Sequence, residues 1–338
     1  MRQLTRAREA TSSASAAARP GPRRYNPPAR LDGPRPADSM PAMSHSRLIS
    51  TSLSLALGLG LVACKKTETV NADDASGKTT AEKPAFPDLA SALAGPQRSA
   101  ENKARDVARH PKETLEFFGV ERNMTVAELW PGGGWYTEIL GPYLRDEGKL
   151  IVTNMSPDHE RYGARAKAFE DKIKGAPEFY GDVTFALAPS AATDAFVLAP
   201  EGSVDVVVTF RNSHGWYNNG LTDLIYGAAF KALKPGGIFG IVQHRANEGA
   251  NPEETAKQGY LPESVVIEAA QKAGFELVEK SEINANPKDT KDHPGGVWML
   301  APNFSGAEEG KEQSAEEKAK FEAMGESDRM TLKFRKPE

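Results

Sequence analysis

"AELWPGGGWYTEIL", residues 127–140, is the segment on which the reading of the fold turns. Glu128 ends an apolar run, Pro131 and three glycines follow, and the apolar spacing of a helix comes next. Gly132 and Gly134 let the chain turn tightly and approach a ligand with no Cβ in the way. A helix opening near Trp135 would aim its free N-terminal amides at the same spot. Strand, glycine turn and helix in this order open an α/β unit whose turn is a natural small-molecule site.

Outward from this loop, short β-branched runs alternate with helical patterns over residues 91–338. That alternation predicts a parallel sheet with crossover helices. Strands are expected at Thr125–Leu129, Lys149–Asn154, Val183–Leu187, Val204–Phe210, Ile238–His244, Phe275–Ser281 and Met330–Arg335. Helices are expected near 99–109, from Trp135, and over 158–172, 221–233 and 262–273. The unbroken "VDVVVTF" at 204–210 reads as a strand buried on both faces. Ligands of such sheets sit beyond the carboxyl ends of the strands, where strand order reverses. The residues to examine are therefore 130–137, 154–158 and 211–217.

Three segments, "VAELWPGGGWYTEIL", "VDVVVTFRNSHGW" and "ALKPGGIFGIVQH", follow one another at suitable spacing. They resemble the first, fourth-strand and fifth-strand motifs of the class I S-adenosylmethionine-dependent methyltransferases. The likeness is closest to a bacterial group of predicted methyltransferases with this Trp-Pro-Gly-Gly-Gly-Trp-Tyr-Thr loop and a "GESDRMTLKF"-like ending, and it runs from about Gly95 to the C-terminus. It implies a Rossmann-like, seven-stranded sheet, mostly parallel with the last strand antiparallel, and helices on both faces. It also implies S-adenosyl-L-methionine as cofactor and methyl transfer to a small-molecule acceptor. Cofactor contacts are expected from Glu128, Trp130, Gly132, Gly133, Gly134, Thr137, Asn154, Asp158 and Asn212.

Two positions depart from the family pattern. Trp130 replaces the first glycine, so its backbone need not reach positive φ; its indole either meets the ligand or packs under the loop. Asn154 replaces the acid that accepts the ribose hydroxyls. An amide accepts one hydrogen bond and donates another, without the strength of a charged acceptor, and Asp158 in the next turn is the substitute. A dinucleotide site of the NAD type fits less well, because Thr137 stands where a small residue is needed and Asn154 where an acid is.

After the fourth strand, "RNSHGWY" at 211–217 offers Arg211 to bind an anion, His214 as a base or as a brace for the loop, and Tyr217 as an aromatic wall. His244 closes the fifth strand at the same rim. The charge-rich helix before the first strand, with Arg98, Arg105, Asp106, Arg109 and His110, is either a lid or a solvated face. The long loop around 286–302 carries Trp298, which is placed to close over the pocket. No second ligand cluster lies at metal spacing, so no metal is expected.

The bulk composition narrows the partners. The formal net charge is −4, but residues 1–42 hold eight Arg against three acids and Arg47 adds one more, which leaves the remainder near −10. An acidic body lacks the basic face that nucleic acid requires. No protein partner is expected. The single cysteine, Cys64, ends "LVAC" after an apolar stretch with Arg47 ahead of it. This reads as a lipoprotein signal over 43–64, with Cys64 lipidated and the chain anchored in the cell envelope, facing the periplasm and more in keeping with the outer than the inner membrane. Residues 1–42, rich in Arg, Pro and Ala, read as disordered sequence upstream of a start at Met43, and 65–90 as a flexible tether. Because a fold does not establish an activity, an idle envelope ligand-binding protein on the same scaffold is the competing expectation.

Overall fold

The protein is described from a computed structural model covering residues 84–308 and 310–338. The expected upstream segment, the lipoprotein signal with Cys64, and most of the tether lie outside the described residues. The tether ends earlier than residue 90. Phe86 and Leu89 are buried, and Asp88 caps the helix Leu89–Ala94 through a capping box with Ser91.

Seven strands form one sheet: β1 (Thr125–Leu129), β2 (Lys149–Asn154), β3 (Thr184–Leu187), β4 (Val204–Phe210), β5 (Leu233–His244), β6 (Glu276–Ser281) and β7 (Arg329–Arg335). Their order is β3-β2-β1-β4-β5-β7-β6. The pairings from β3 through β5 are parallel, and β7 runs antiparallel to both β5 and β6. This is the Rossmann-like, seven-stranded sheet expected from the sequence.

The strands hold because their side chains alternate between two cores. In β1 and β4, Val126, Val206 and Val208 enter one apolar cluster while Ala127, Leu129 and Val207 enter the other. Helices cover both faces, so nearly every residue of these strands is buried. Each fully buried Val or Leu contributes roughly 1.5–3 kcal/mol. Asp205 is the interruption in "VDVVVTF"; its carboxylate accepts from the backbone N of Thr125 at 2.8 Å and pairs with Lys234 at 2.6 Å.

Most element ends agree with the sequence, and the differences have local causes. β5 begins at Leu233 rather than Ile238, because Leu233 already pairs with Val204 before the chain turns at Gly236. The helix after β2 is Gly163–Lys174 rather than 158–172. His159 Nδ1 accepts from the backbone N of Arg161 and Tyr162, which holds the preceding residues in a turn. The helix after β1 is Thr137–Leu144 and starts beyond Trp135, since residues 131–136 are spent on the glycine turn. The expected helix near 99–109 is two short pieces, Ala100–Ala104 and Asp106–Arg109.

Candidate functional site

The sheet is wound in opposite directions from β1 and β4, so their carboxyl ends border a crevice. Both strands are left through a left-handed residue that is not glycine: Trp130 has φ 50° and Arg211 has φ 67°. Each such residue costs about 1–3 kcal/mol. Position 130 need not have taken positive φ with no glycine there, and it takes it nonetheless. The loop turns as though the glycine were present, and hydrogen bonds hold it there. Trp130 N donates to Thr153 Oγ1 at 2.7 Å, and Asn212 Nδ2 donates to the carbonyls of Leu129 and Trp130 at 3.1 and 3.2 Å. The indole packs edge-on against Trp216, with ring centres 5.2 Å apart, and still lines the crevice.

Two adjoining cavities of about 520 Å³ each occupy the crevice. The first reaches over β2 and β3, where Asn154, Met155, His159, Tyr162 and Pro189 line it. The second reaches toward the N-terminal helices and the start of β7, where Asn102, Arg105, Arg109, His244, Glu326 and Ser327 line it. Trp130, Gly132, Arg211, Asn212, His214 and Trp298 line both.

The first cavity has a free polar edge at Asn154. Its Nδ2 donates to the carbonyl of Ala166 at 2.9 Å, which leaves Oδ1 to accept from a ligand. The second cavity is dominated by guanidinium groups. Glu326 is buried and accepts from Arg105 Nε at 2.8 Å, from Arg109 Nε at 3.0 Å and from Arg329 Nη1 at 2.9 Å. Arg211 Nη1 lies farther off, at 4.0 Å from the same carboxylate. Burial, with the charges of Arg329 and Arg105 beside it, brings the Arg211 guanidinium down to about 10 despite the attraction of Glu326.

Both rim histidines are neutral at pH 7. Burial lowers His214 to about 4 and His244 well below the usual imidazole range. Gln243 Nε2 donates to Gly259 O at 2.9 Å and faces His214 Nδ1 at 3.3 Å. The amide orientation is set by the Gly259 carbonyl, which can only accept. Gln243 Nε2 also lies 3.3 Å from His244 O, so its second proton is shared between that carbonyl and His214 Nδ1; where His214 Nδ1 accepts it, the ring proton sits on Nε2. In this tautomer His214 is a hydrogen-bond donor toward a ligand and not a base. His244 Nδ1 is bonded to Ser327 Oγ at 2.5 Å.

The structure brings together eight of the thirteen expected cavity residues: Trp130, Gly132, Gly133, Asn154, Arg211, Asn212, His214 and His244. Five others fall elsewhere. Glu128 and Thr137 are buried behind the loop, and Thr137 Oγ1 donates to Glu128 at 2.6 Å. Gly134 (φ 85°) faces Phe169, with a Cβ there only 2.8 Å from the ring. Asp158 is exposed and does not line the cavity; His159 does. Tyr217 packs against the apolar core, and its neighbour Trp216 lines the cavity instead. The cause is the short helix Ser213–Asn218, which the sequence reading did not include and which turns Tyr217 away.

Sequence reasoning missed Arg165, Glu326 and Ser327. Arg165 sits on a helix with an ordinary basic exposed face, and Glu326 and Ser327 lie far along the chain, so no local pattern marks them. The N-terminal helical segment is not a solvated face. Arg98 and Arg109 are buried, and their guanidiniums lie 5.0 and 4.7 Å from the Trp135 ring. The Trp298 segment is pinned by Asp289, which accepts from Tyr260 Oη at 3.0 Å, is bonded to His293 Nε2 at 2.8 Å, and accepts from the backbone N of Asp328 at 2.8 Å.

No protein-family model matches the chain, and no curated protein matches it. Solved structures do. An S-adenosylmethionine-dependent methyltransferase from Aquifex aeolicus aligns at 17% identity over 58% of this chain and 93% of its own, with a TM-score of 0.42. One from Mesorhizobium loti aligns at 14% identity over 66% and 96%, with a TM-score of 0.40. An arsenic(III) S-adenosylmethionine methyltransferase from Chlamydomonas reinhardtii aligns at 16% identity over 74% and 73%, with a TM-score of 0.41. These are likenesses of chain path, and the chemistry of the crevice is carried by its own residues.

Proposed function

We propose that this chain is an S-adenosyl-L-methionine-dependent methyltransferase acting on a small-molecule acceptor, with the donor held in the first cavity and the acceptor in the second. The observation that carries the reading is the pair of adjoining cavities at the reversal of strand order, with the Gly132 turn on the wall they share. Each is of the size of a small-molecule site, roughly 300–1,000 Å³. The residues fit the donor: Gly132 permits close backbone approach, with open space around a Cβ position there, and Asn154 Oδ1 is free to accept from a ribose hydroxyl. When bound, S-adenosylmethionine supplies a methyl group already activated by its sulfonium.

The chain's own part is to orient and to exclude water. Trp130 and Trp298 supply apolar walls to both cavities. Neutral His214 and His244 add no positive charge against a sulfonium. In the tautomer that turns its Nδ1–H toward Ser327, His244 has Nε2 left to take a proton where the acceptor must lose one; in the tautomer with its proton on Nε2, His214 donates to the ligand.

Calorimetry with S-adenosylmethionine and S-adenosylhomocysteine tests donor binding, and a tritiated methyl donor with a metabolite pool tests transfer. Absence of donor binding overturns the proposal. Once an acceptor is found, His244→Ala should lower turnover about 10²-fold or more, and His214→Ala should act mainly on acceptor KM. The idle binding protein is the second reading, favoured by the amide at position 154 in place of an acid; donor binding with no methylated product from any pool would establish it.

We further propose that Cys64 is lipidated and anchors the chain in the cell envelope, facing the periplasm and at the outer membrane. Intact mass of membrane-extracted protein checks this. A species beginning at acylated Cys64 is expected; an unmodified cysteine overturns it.

A further inference from the structure

We infer that the second cavity takes an anionic acceptor, a small molecule whose carboxylate or phosphoryl group docks on the guanidinium groups of Arg211, Arg105 and Arg109. The inference rests on the methyltransferase reading for the word acceptor, and on the cavity alone for the anion.

The first support is charge. Arg105, Arg109, Arg165 and Arg211 line the cavity, and Glu326 is its lining carboxylate, an excess of three positive charges. Arg329, also bonded to Glu326, is buried behind it. The two lining histidines are neutral and do not change the balance. Positive charges gathered in a half-buried cleft repel one another unless an anion joins them. The proposed donor does not serve, because its one carboxylate is outweighed by an ammonium and a sulfonium. Donor binding raises the need for a second anion.

The second support is the hydrogen-bond inventory. Arg105 and Arg109 both engage Glu326 through Nε, which leaves their paired Nη groups uncommitted to it. Arg109 Nη1 is buried with no partner among the described residues, on a side chain only 4% exposed. Arg211 makes no side-chain hydrogen bond among the described residues, and its side chain is 25% exposed. A carboxylate offers about four lone-pair sites, and Glu326 has given its sites to Arg105, Arg109 and Arg329. A planar fork with free N–H groups matches a carboxylate or phosphate in bidentate fashion. Arg211 leaves β4 with a left-handed backbone (φ 67°) and lines both cavities, which puts it beside the proposed site of transfer. His214, in the tautomer with its proton on Nε2, adds one more donor.

The test titrates succinate, inorganic phosphate and the neutral diamide succinamide into the full chain, alone and saturated with S-adenosylhomocysteine. At least one anion should bind, the diamide should not, and the succinate and phosphate arms tell a carboxylate site from a phosphoryl site. Arg211→Asn keeps a residue tolerant of positive φ and should weaken anion binding tenfold or more. Arg105→Gln should act in the same direction and, because Arg105 lines the second cavity and not the first, should change S-adenosylhomocysteine affinity less than threefold. The unaltered chain gives a reading that needs no variant: the bound anion should raise Tm at constant ionic strength, and succinamide should not. If neither anion binds or raises Tm, or the diamide binds as well, the inference falls. Anion binding unchanged in both variants also overturns it. If S-adenosylhomocysteine fails to bind while the anion binds through Arg211, the donor reading fails and the anion site stands.

Discussion

Glu128 shows how a motif acid becomes structural. It is buried beside Thr137, and burial pushes its carboxyl up to about 7 from an ordinary 4.5. A carboxyl raised on folding contributes stability that is whole below about 4.5 and lost as pH rises through 7. Glu128→Gln keeps an acceptor for Thr137 Oγ1 and removes the charge. The variant should therefore gain on the parent as pH rises from 5 to 8, by on the order of a few kcal/mol, read from urea midpoints across that range. A gain that is flat with pH would show that Glu128 is not held neutral. The rim histidines work in the opposite sense. Their lowered values mean stability that is whole above about 6.5 and lost as pH falls toward 4. His214→Gln should remove part of that acid loss. At Trp130 the left-handed backbone separates two substitutions. Gly and Ala both delete the indole packing, but only Gly relieves φ 50°. Trp130→Gly should be more stable than Trp130→Ala by about 1 kcal/mol, within the cost of a strained non-glycine residue; equal midpoints would deny the strain.

The glycine turn between β1 and the helix Thr137–Leu144 divides its labour among residues that look alike in sequence. Gly134 faces Phe169, and a Cβ there meets the ring at 2.8 Å with φ 85°. Gly134→Val should destabilise the fold by roughly 2–4 kcal/mol, from strain and overpacking together. Loss of ligand binding in that variant would then follow from loss of structure. Gly132 also has positive φ, 63°, but a Cβ there meets nothing within 4 Å. Gly132→Ala should cost only about 1–2 kcal/mol of backbone strain while placing a methyl group in the wall of both cavities. Thermal melting beside calorimetry with S-adenosylhomocysteine distinguishes the two. If Gly132→Ala melts lower than Gly134→Val, the assignment of packing to one and ligand approach to the other is reversed.

The crevice is closed by segments distant in the chain. Trp298 reaches it from the loop after β6, and Glu326 and Ser327 from the start of β7. Asp289 ties these pieces together through Tyr260, His293 and the backbone of Asp328, all at 2.8–3.1 Å. Asp289→Ala would leave buried donors without an acceptor, each worth about 1–3 kcal/mol. A total loss of about 2–5 kcal/mol is expected, with faster amide exchange over residues 286–302 and at Asp328. Exchange confined to global unfolding would mean that the loop does not depend on this carboxylate.

The strands and the position of the crevice were written in the sequence, because β-branched runs, their spacing and a glycine turn are local features. "TVAEL", "KLIVTN" and "VDVVVTF" carry strand propensity and apolar pattern within a few residues, and the ends of β1, β2 and β4 were legible to the residue. The motif also marked Trp130, Gly132, Asn154 and Arg211 as neighbours of one site. It did not show that Glu128, Thr137 and Gly134 serve the loop and not the cavity, since that depends on Phe169 and on which side of β1 is packed. Nor did it show the left-handed backbone at Trp130 and Arg211, which the surrounding hydrogen bonds impose against the residues' own preference. The joining of Arg105, Arg109, Arg211 and Arg329 around Glu326 was decided by the tertiary structure alone. Those residues come from three stretches of the chain, and their charges act through space, across separations of up to 221 residues.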